Sequence, residues 1–202
     1  MATTHGAMDQ KDQTRERLMR AGLELLAAKG YRAATTREIS RSAGVTEVTM
    51  YRHFRSKDEL FTEAIRHYRE TLVDLVPAPS GNLRHDLQTL IERLYAHIAT
   101  NPVKSMQVIP ELNRHCEAAK PEGQLLEVAL HERLKVLFRY YQATEELTFE
   151  AGDHLVTAFI GPIYYYAAQE NTDQRTYLDS ERYVTFFLQG YRHDHGSCAT
   201  TA

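Results

Sequence analysis

The chain has 202 residues, of which 43% are hydrophobic and 25% are charged, and its net charge is −3. This composition is typical of a globular protein with one large domain or two small ones, and it excludes a disordered or fibrous chain. Cys116 and Cys198 form no disulfide framework, and the longest uncharged apolar stretch, residues 155–168, is shorter than the roughly 20 residues that span a membrane. We therefore expect a cytoplasmic protein outside the membrane.

Residues 11–75 predict four helices behind a polar tail, residues 1–10, that we expect to be disordered. The first helix carries apolar residues at steps of three and four and ends at Lys29-Gly30. Capping boxes begin the second and fourth helices, Thr35-Thr36-Arg37-Glu38 and Ser56-Lys57-Asp58-Glu59, and Thr46 can cap a third helix that ends at Phe54. Inward-facing residues are predicted from this spacing: Leu18, Ala21, Leu25, Ala28, Ile39, Ala43, Phe54 and Leu60.

A Pro- and Gly-containing break at residues 77–81 separates this part from a second set of helices. Helical periodicity predicts segments at 83–99, 101–116, 124–144, 150–169 and 177–191. The segment 150–169 is apolar nearly all round, which indicates a helix buried on more than one side, with Pro162 inside it. No stretch alternates as a strand does. The predicted fold is all-α, with a tail at residues 196–202 that we also expect to be disordered.

The second and third helices, joined by a tight turn at Gly44, have the spacing of a helix-turn-helix, which sets its last helix in the DNA major groove. The run from Thr36 to Leu60 resembles the DNA-binding segment of the TetR/AcrR family of bacterial transcriptional regulators. Residues that match in register are Ala21, Leu25, Lys29, Gly30-Tyr31, Gly44-Val45, Tyr51, His53-Phe54, Lys57 and Leu60. The resemblance implies a helix-turn-helix DNA-binding domain at residues 11–58 and a larger helical ligand-binding and dimerisation domain at 59–195.

The charge distribution fits this interpretation. Residues 1–69 carry 13 Lys or Arg against 9 Asp or Glu, whereas residues 70–202 carry 11 against 18. A basic N-terminal third suits a partner made of phosphates. The family positions that contact DNA, mostly its backbone, match Thr36, Arg37, Thr49, Tyr51, His53 and Lys57, and we add Arg52 on the same helix.

We expect Glu47, Val48 and Thr49 to read base edges. A carboxylate can accept from a cytosine amino group, and valine methyls can pack on a thymine methyl. Glu47 has an alternative role as a solvated charge that complements the start of its helix. The alternatives for Tyr51 and His53 are a packed tyrosine and a surface histidine without function.

The resemblance implies that the last two helices form a four-helix bundle with a second copy. Spacing nominates these interface residues: Phe159, Ile163, Tyr166, Val184, Phe187, Leu188 and Tyr191. Burial within one chain is the alternative for each. A hydrophobic or aromatic small-molecule effector would bind among Tyr95, His97, Met106, Phe138, Tyr141, Phe159, Tyr164 and Tyr165, with Glu111, Asn113 and His115 as further polar candidates. Plain core is the alternative for these aromatic residues.

No Walker loop, GxGxxG, nucleophile elbow or zincin helix is present, so we predict that the chain is not an enzyme. His115-Cys116 and His193-Asp194-His195 each lack the three or four ligands of a metal site, and no cofactor is expected. The sequence predicts a repressor that binds a near-palindromic DNA operator as a homodimer and is released by an effector. Control by a protein partner or by abundance, without an effector, is the alternative.

Overall fold

The computed structural model describes residues 10–100, 105–147, 152–168 and 179–190, and within these ranges all regular structure is helical. The prediction of an all-α fold is confirmed. The helices are α1 (Gln10–Lys29), α2 (Thr36–Ser42), α3 (Glu47–His53), α4 (Lys57–Asp74), α5 (Leu83–Thr100), α6 (Ser105–His115), α7 (Lys120–Ala143), α8 (Asp153–Ala168) and α9 (Ser180–Gly190), with a 3₁₀ turn at Glu117–Ala119 before α7.

Two predictions about these helices need correction. Helix α7 begins at Lys120, four residues before the predicted Gln124, because Pro121 lies in the first turn, where a missing N–H costs nothing. In α1 the core residue is Leu26, which is 2% exposed, while Leu25 is only half-buried and Ala28 is exposed. Leu18 and Ala21 of the predicted stripe are buried as expected, so only the C-terminal part of α1 departs from it.

The described residues form two compact units that do not follow chain order. The first unit holds residues up to 70 together with 101–127, and the second holds 71–100 together with the residues after 127. Helices α4 and α7 each pass from one unit into the other. The predicted functional boundary between residues 58 and 59 remains a prediction.

The core of the first unit lies where α1 and α4 approach each other at Gly22. A Cβ placed on Gly22 would lie 2.7 Å from Leu60 Cδ2 and 3.4 Å from Phe61 Cε1, so a larger residue here would require the Leu60 side chain to shift. Fully buried side chains from all four N-terminal helices complete the core: Leu18, Ile39, Met50, Phe54, Leu60, Phe61 and Ile65. This packing fixes α2 and α3 on the scaffold of α1 and α4.

The core of the second unit is built from α5, the second half of α7, α8 and α9. Three aromatic rings lie at its centre: Phe138 and Phe159 are 5.9 Å apart between ring centroids, and Phe187 lies 5.0 Å from Phe159. Pro162 lies inside α8, as predicted. None of the helices in the described ranges has the length and apolar content required to cross a membrane.

Candidate nucleic-acid interface

The turn between α2 and α3 is set by local backbone chemistry. Thr35 caps α2, since its Oγ1 accepts from the N–H of Glu38 at 3.2 Å, and Thr46 caps α3 by accepting from the N–H of Thr49 at 3.1 Å. Between them Gly44 has a φ of +68°, the left-handed conformation that glycine adopts without strain. The predicted caps and turn are confirmed, and they define the angle between α2 and α3.

Helix α3 has one anchored face and one open face. Met50 is fully buried, whereas Val48 and Tyr51 are 64% and 50% exposed and Arg52 is also exposed. The exposed valine and tyrosine leave apolar surface on this face that is available to a binding partner. Arg37, Arg41 and Arg55, on α2 and in the turn after α3, are exposed and add positive charge to this part of the chain.

Thr36 and Glu47, both predicted to contact DNA, contact each other. Thr36 Oγ1 donates to Glu47 Oε1 at 2.5 Å, which joins the first residue of α2 to the first residue of α3. A carboxylate in the first turn of a helix is stabilised by the helix dipole. This contact fits the alternative role of Glu47, a charge that complements the helix start, and contact with a cytosine remains a prediction.

His53 at the end of α3 is held by Arg15 of α1, a residue that the sequence analysis did not identify. Arg15 Nη1 donates to the carbonyl oxygen of His53 at 3.0 Å, and its guanidinium lies 4.4 Å from the centre of the Phe54 ring. Burial, followed by the charges of Arg15 and Lys11, lowers the pKa of His53. The neutral imidazole is therefore favoured at neutral pH and carries one N–H that can donate to a phosphate.

Lys57 lies at the first position of α4 and is engaged by Tyr31. Its Nζ donates to the carbonyl oxygen of Tyr31 at 2.8 Å and lies 3.9 Å from the centre of the Tyr31 ring. Burial lowers the pKa of Lys57. An ammonium has three N–H donors, and Tyr31 accepts from one of them. The sequence pattern identified Tyr31 only as a matching residue, without a role.

The predicted effector residues are only partly brought together. Phe138 and Phe159 are neighbours, and His97 is buried in the same unit with its pKa lowered by burial. Tyr141 is buried too, but its hydroxyl donates to Asp86, while Tyr165 is 64% exposed. Tyr95 and Tyr164 are half-buried. The side chain of Met106 lies outside the described residues, and Glu111 and His115 lie in the first unit, where they contact Tyr31.

Four of the predicted interface residues are part of the core of a single chain, which fits the alternative of burial within one chain. Phe159, Ile163, Val184 and Phe187 are each at most 4% exposed, so they have almost no surface to offer a partner. Leu188 is half-buried, and Tyr191 and the side chain of Tyr166 lie outside the described residues. Among the described side chains of α8 and α9, the large apolar residues that are exposed are Tyr165 and Phe186, the latter at 74%. Periodicity located the helices but could not tell which apolar stripe faces inward.

Among the described residues no group of three His, Cys, Asp or Glu is arranged to hold a metal ion. The candidate at His193 and His195 lies outside them.

Comparison with known proteins connects this geometry to a family. Residues 18–64 match the family model described as bacterial regulatory proteins, tetR family. The HTH-type transcriptional regulator YvkB of Bacillus subtilis (strain 168) is 35% identical over 74 residues, which cover 37% of this chain and 39% of that protein. The matches to this and four further curated relatives span between 20% and 50% of the relatives' lengths.

Solved structures extend the likeness over most of the chain. GusR of Salmonella enterica matches with a TM-score of 0.67 at 17% identity and covers 91% of this chain and 97% of that one. FadR from Bacillus subtilis, solved in complex with stearoyl-CoA, matches with a TM-score of 0.62 at 14% identity, covering 86% and 95%. At these identities the likeness shows the fold alone. The family model and YvkB are described as regulatory proteins.

Proposed function

We propose that the protein is a cytoplasmic transcriptional repressor that binds a near-palindromic DNA operator as a homodimer and is released by a small-molecule effector. The match of residues 18–64 to the family model described as bacterial regulatory proteins, tetR family, supports this proposal. The observation that carries the proposal is the open face of α3, where Val48, Tyr51 and Arg52 are exposed on a helix anchored by Met50. Such a face, held at a fixed angle by two threonine caps, suits insertion into a major groove.

Contacts to the DNA backbone would come from both ends of the helix-turn-helix. The candidates are Thr36 and Arg37 on α2, Thr49, Tyr51, Arg52 and His53 on α3, and Lys57 on α4. These contacts fix the position of α3 on the duplex but carry no sequence information. Val48 is the most exposed apolar residue of α3 and would read a thymine methyl, while Glu47 would contribute to base recognition if it leaves Thr36.

A homodimer is supported by the exposed aromatic residues of the last two helices. Tyr165 and Phe186 are 64% and 74% exposed in a single chain. A dimer interface that covers them would remove this apolar surface from water. A two-fold dimer places its two α3 helices one turn of DNA apart, at about 34–36 Å, which is why the operator is expected to be near-palindromic.

An effector with an apolar chain or ring suits the aromatic core of the second unit. The structure of FadR with stearoyl-CoA demonstrates such a ligand for that protein. Binding would shift the population toward a conformation with lower operator affinity, by ~1–3 kcal/mol of coupling. Helix α4, which starts with Lys57 and continues without interruption into the second unit, would transmit the change.

Identical angles of α4 in effector-bound and free crystal structures would contradict this role of the helix. The alternative is control by a protein partner or by abundance. Thermal-shift screening with hydrophobic and cationic small molecules distinguishes it from control by an effector, because a ligand that binds the folded state raises the melting temperature of the protein.

The operator is tested by selecting bound fragments from the source genome with purified protein and footprinting them at two salt concentrations. We expect a near-palindromic footprint that weakens as salt rises, because phosphate contacts release counterions. Tyr51→Ala should weaken binding about tenfold or more, whereas Tyr140→Ala, which alters a 42% exposed tyrosine of α7, should not. Selection of no specific fragment, together with equal binding by the Tyr51 variant, would reject the proposed function.

A further inference from the structure

Tyr31, in the turn after α1, is held from both sides of its peptide backbone. Its N–H donates to Glu111 Oε1 of α6 at 3.0 Å, and its carbonyl oxygen accepts from Lys57 Nζ of α4 at 2.8 Å. All three residues belong to the first unit. One residue of the turn therefore connects an acid on α6 with a cation that we propose binds DNA.

The side chain of Tyr31 is fixed as well as its backbone. Its hydroxyl donates to Asp58, the residue after Lys57, and its ring centroid lies 5.5 Å from that of Phe61 and 6.3 Å from that of His115. The Lys57 ammonium lies against the face of the same ring, a favourable cation–π geometry. These contacts leave Tyr31 little freedom to move independently of α4 and α6.

Glu111 is placed so that one carboxylate oxygen reaches the turn. Its Oε1 lies 2.9 Å from the position that a Cβ on Gly30 would occupy, and Gly30 has a φ of +81°. Glycine at this position therefore permits both the left-handed turn and the close approach of the carboxylate. The other oxygen, Oε2, lies 3.4 Å from Arg114 Nη1, whose side chain is 67% exposed.

The position of Lys57 is what makes this connection functional. As the first residue of α4 it lies where backbone N–H groups without helical partners and the helix dipole favour an anion. Its ammonium has three donors, and one of them is used by Tyr31. A lysine held in this way binds a phosphate without first losing the mobility of a long side chain, which otherwise lowers affinity.

We propose that Glu111 is a positioning residue for DNA binding, which acts through the backbone of Tyr31 to hold the Lys57 ammonium at the start of α4. The inference rests on the proposed DNA-binding function and adds a contribution from α6, a helix outside the matched family segment. A displacement of α6 would move Glu111 and so change the phosphate contact of Lys57.

The test is a double-mutant cycle between Glu111 and Lys57. Three substitutions are made both in the wild-type chain and in Lys57→Ala: Glu111→Ala, Glu111→Gln and Arg114→Ala. The DNA is a duplex that the wild-type chain selects from a random library. The dissociation constant for this duplex is measured over a range of salt concentrations. Glu111→Ala should weaken binding about three- to tenfold, and Lys57→Ala should reduce the slope of log affinity against log salt by about 0.9.

Two results distinguish positioning from general destabilisation. Glu111→Ala should have no further effect in Lys57→Ala, because Glu111 acts only through the ammonium that the Lys57 variant lacks. Glu111→Gln should bind DNA nearly as well as the wild type, since its amide oxygen still accepts from Tyr31. Arg114→Ala, which removes only the exposed partner of Oε2, should leave the dissociation constant unchanged.

Glu122→Gln provides a stability control in the same unit. Glu122 accepts from Arg66 Nε at 2.9 Å and Arg69 Nη2 at 3.0 Å, so its loss should lower the melting temperature. Any change that Glu122→Gln causes in the affinity for DNA should be the same in the wild-type chain and in Lys57→Ala. Equal effects of Glu111→Ala with and without Lys57 would overturn the inference. Failure of the wild-type chain to select any duplex would instead reject the proposed function.

Discussion

Gly30 and Gly44 both have left-handed backbone conformations, with φ of +81° and +68°, but their surroundings differ. A Cβ on Gly44 would find its nearest atom, the exposed Arg17 Nη1, at 3.8 Å, while a Cβ on Gly30 would meet Glu111 Oε1 at 2.9 Å. A substitution at Gly44 therefore measures the cost of the left-handed conformation alone, whereas a substitution at Gly30 adds the cost of the contact with Glu111.

We predict that Gly30→Ala destabilises the chain by about 2–3 kcal/mol and Gly44→Ala by about 1 kcal/mol. Both alanines pay for the left-handed conformation, but only the one at position 30 also displaces the acceptor of the Tyr31 N–H. Urea denaturation of the two variants measures the difference. Equal losses would mean that Glu111 moves away without cost.

At the scale of helices, a buried carboxylate joins the start of α5 to α7. Asp86 is 2% exposed and accepts from the Tyr141 hydroxyl and from the N–H of Ser80, the latter at 2.8 Å. Burial alone would raise the pKa of Asp86, but the hydrogen bonds from Tyr141 and Ser80 outweigh it and lower the pKa below its ordinary value. The ionised carboxylate is thus part of the folded state.

We predict that Tyr141→Phe lowers the free energy of unfolding at neutral pH by about 1–3 kcal/mol, because a buried charge loses a donor. A lowered pKa in the folded state adds stability above the unfolded pKa of about 3.9, and that stability is lost as the pH falls through the folded pKa. In Tyr141→Phe the pKa of Asp86 rises, so the acid loss should begin at higher pH.

Denaturation of wild type and variant from neutral to acid pH measures both effects. Tyr140→Phe is the matched control, since Tyr140 is 42% exposed and adjacent in the chain. A Tyr141 variant that unfolds like the Tyr140 variant at every pH would show that Asp86 does not depend on this hydroxyl.

The elements that could be predicted are those whose signals are local. Thr35, Thr46 and Ser56 cap helices within three residues of their own positions, and each cap is present. The face of α8 that is buried could not be predicted, because the helix is apolar on all sides and only packing selects Phe159 and Ile163 as core.

The candidate site divides in the same way. The exposure of Val48 and Tyr51 follows from the register of a short helix, which the sequence contains. The contact of Tyr31 with Glu111 joins residues 80 positions apart, and no periodicity in α1 or α6 indicates it. The sequence analysis instead placed Glu111 among the effector candidates, because a carboxylate in an amphipathic helix does not indicate which compact unit it belongs to.

At the scale of the whole molecule, we predict that Phe186→Glu converts a dimer into a monomer. Phe186 is 74% exposed in the single chain, and a charge there would be buried without a partner in a two-fold interface. Analytical ultracentrifugation measures the change. Operator affinity should fall with it, because a monomer reads only one half-site.

Val136→Glu on α7 is the control for this prediction, since Val136 is 51% exposed and lies on neither α8 nor α9. This variant should sediment like the wild type. If instead Phe186→Glu remains dimeric and Val136→Glu does not, the interface involves α7.

The first unit combines two segments of the chain that are separated by residues 71–100, and this affects how the unit forms during translation. Residues 71–100 are translated before residues 101–127 can join the N-terminal helices. At ~5–20 residues per second, a nascent chain carries α1 to α4 for several seconds before Glu111 exists to accept from Tyr31. Under the proposed role of Glu111, Lys57 is held in place only once α6 has been translated, so the proposed contact with DNA is completed when more than half of the chain has been made.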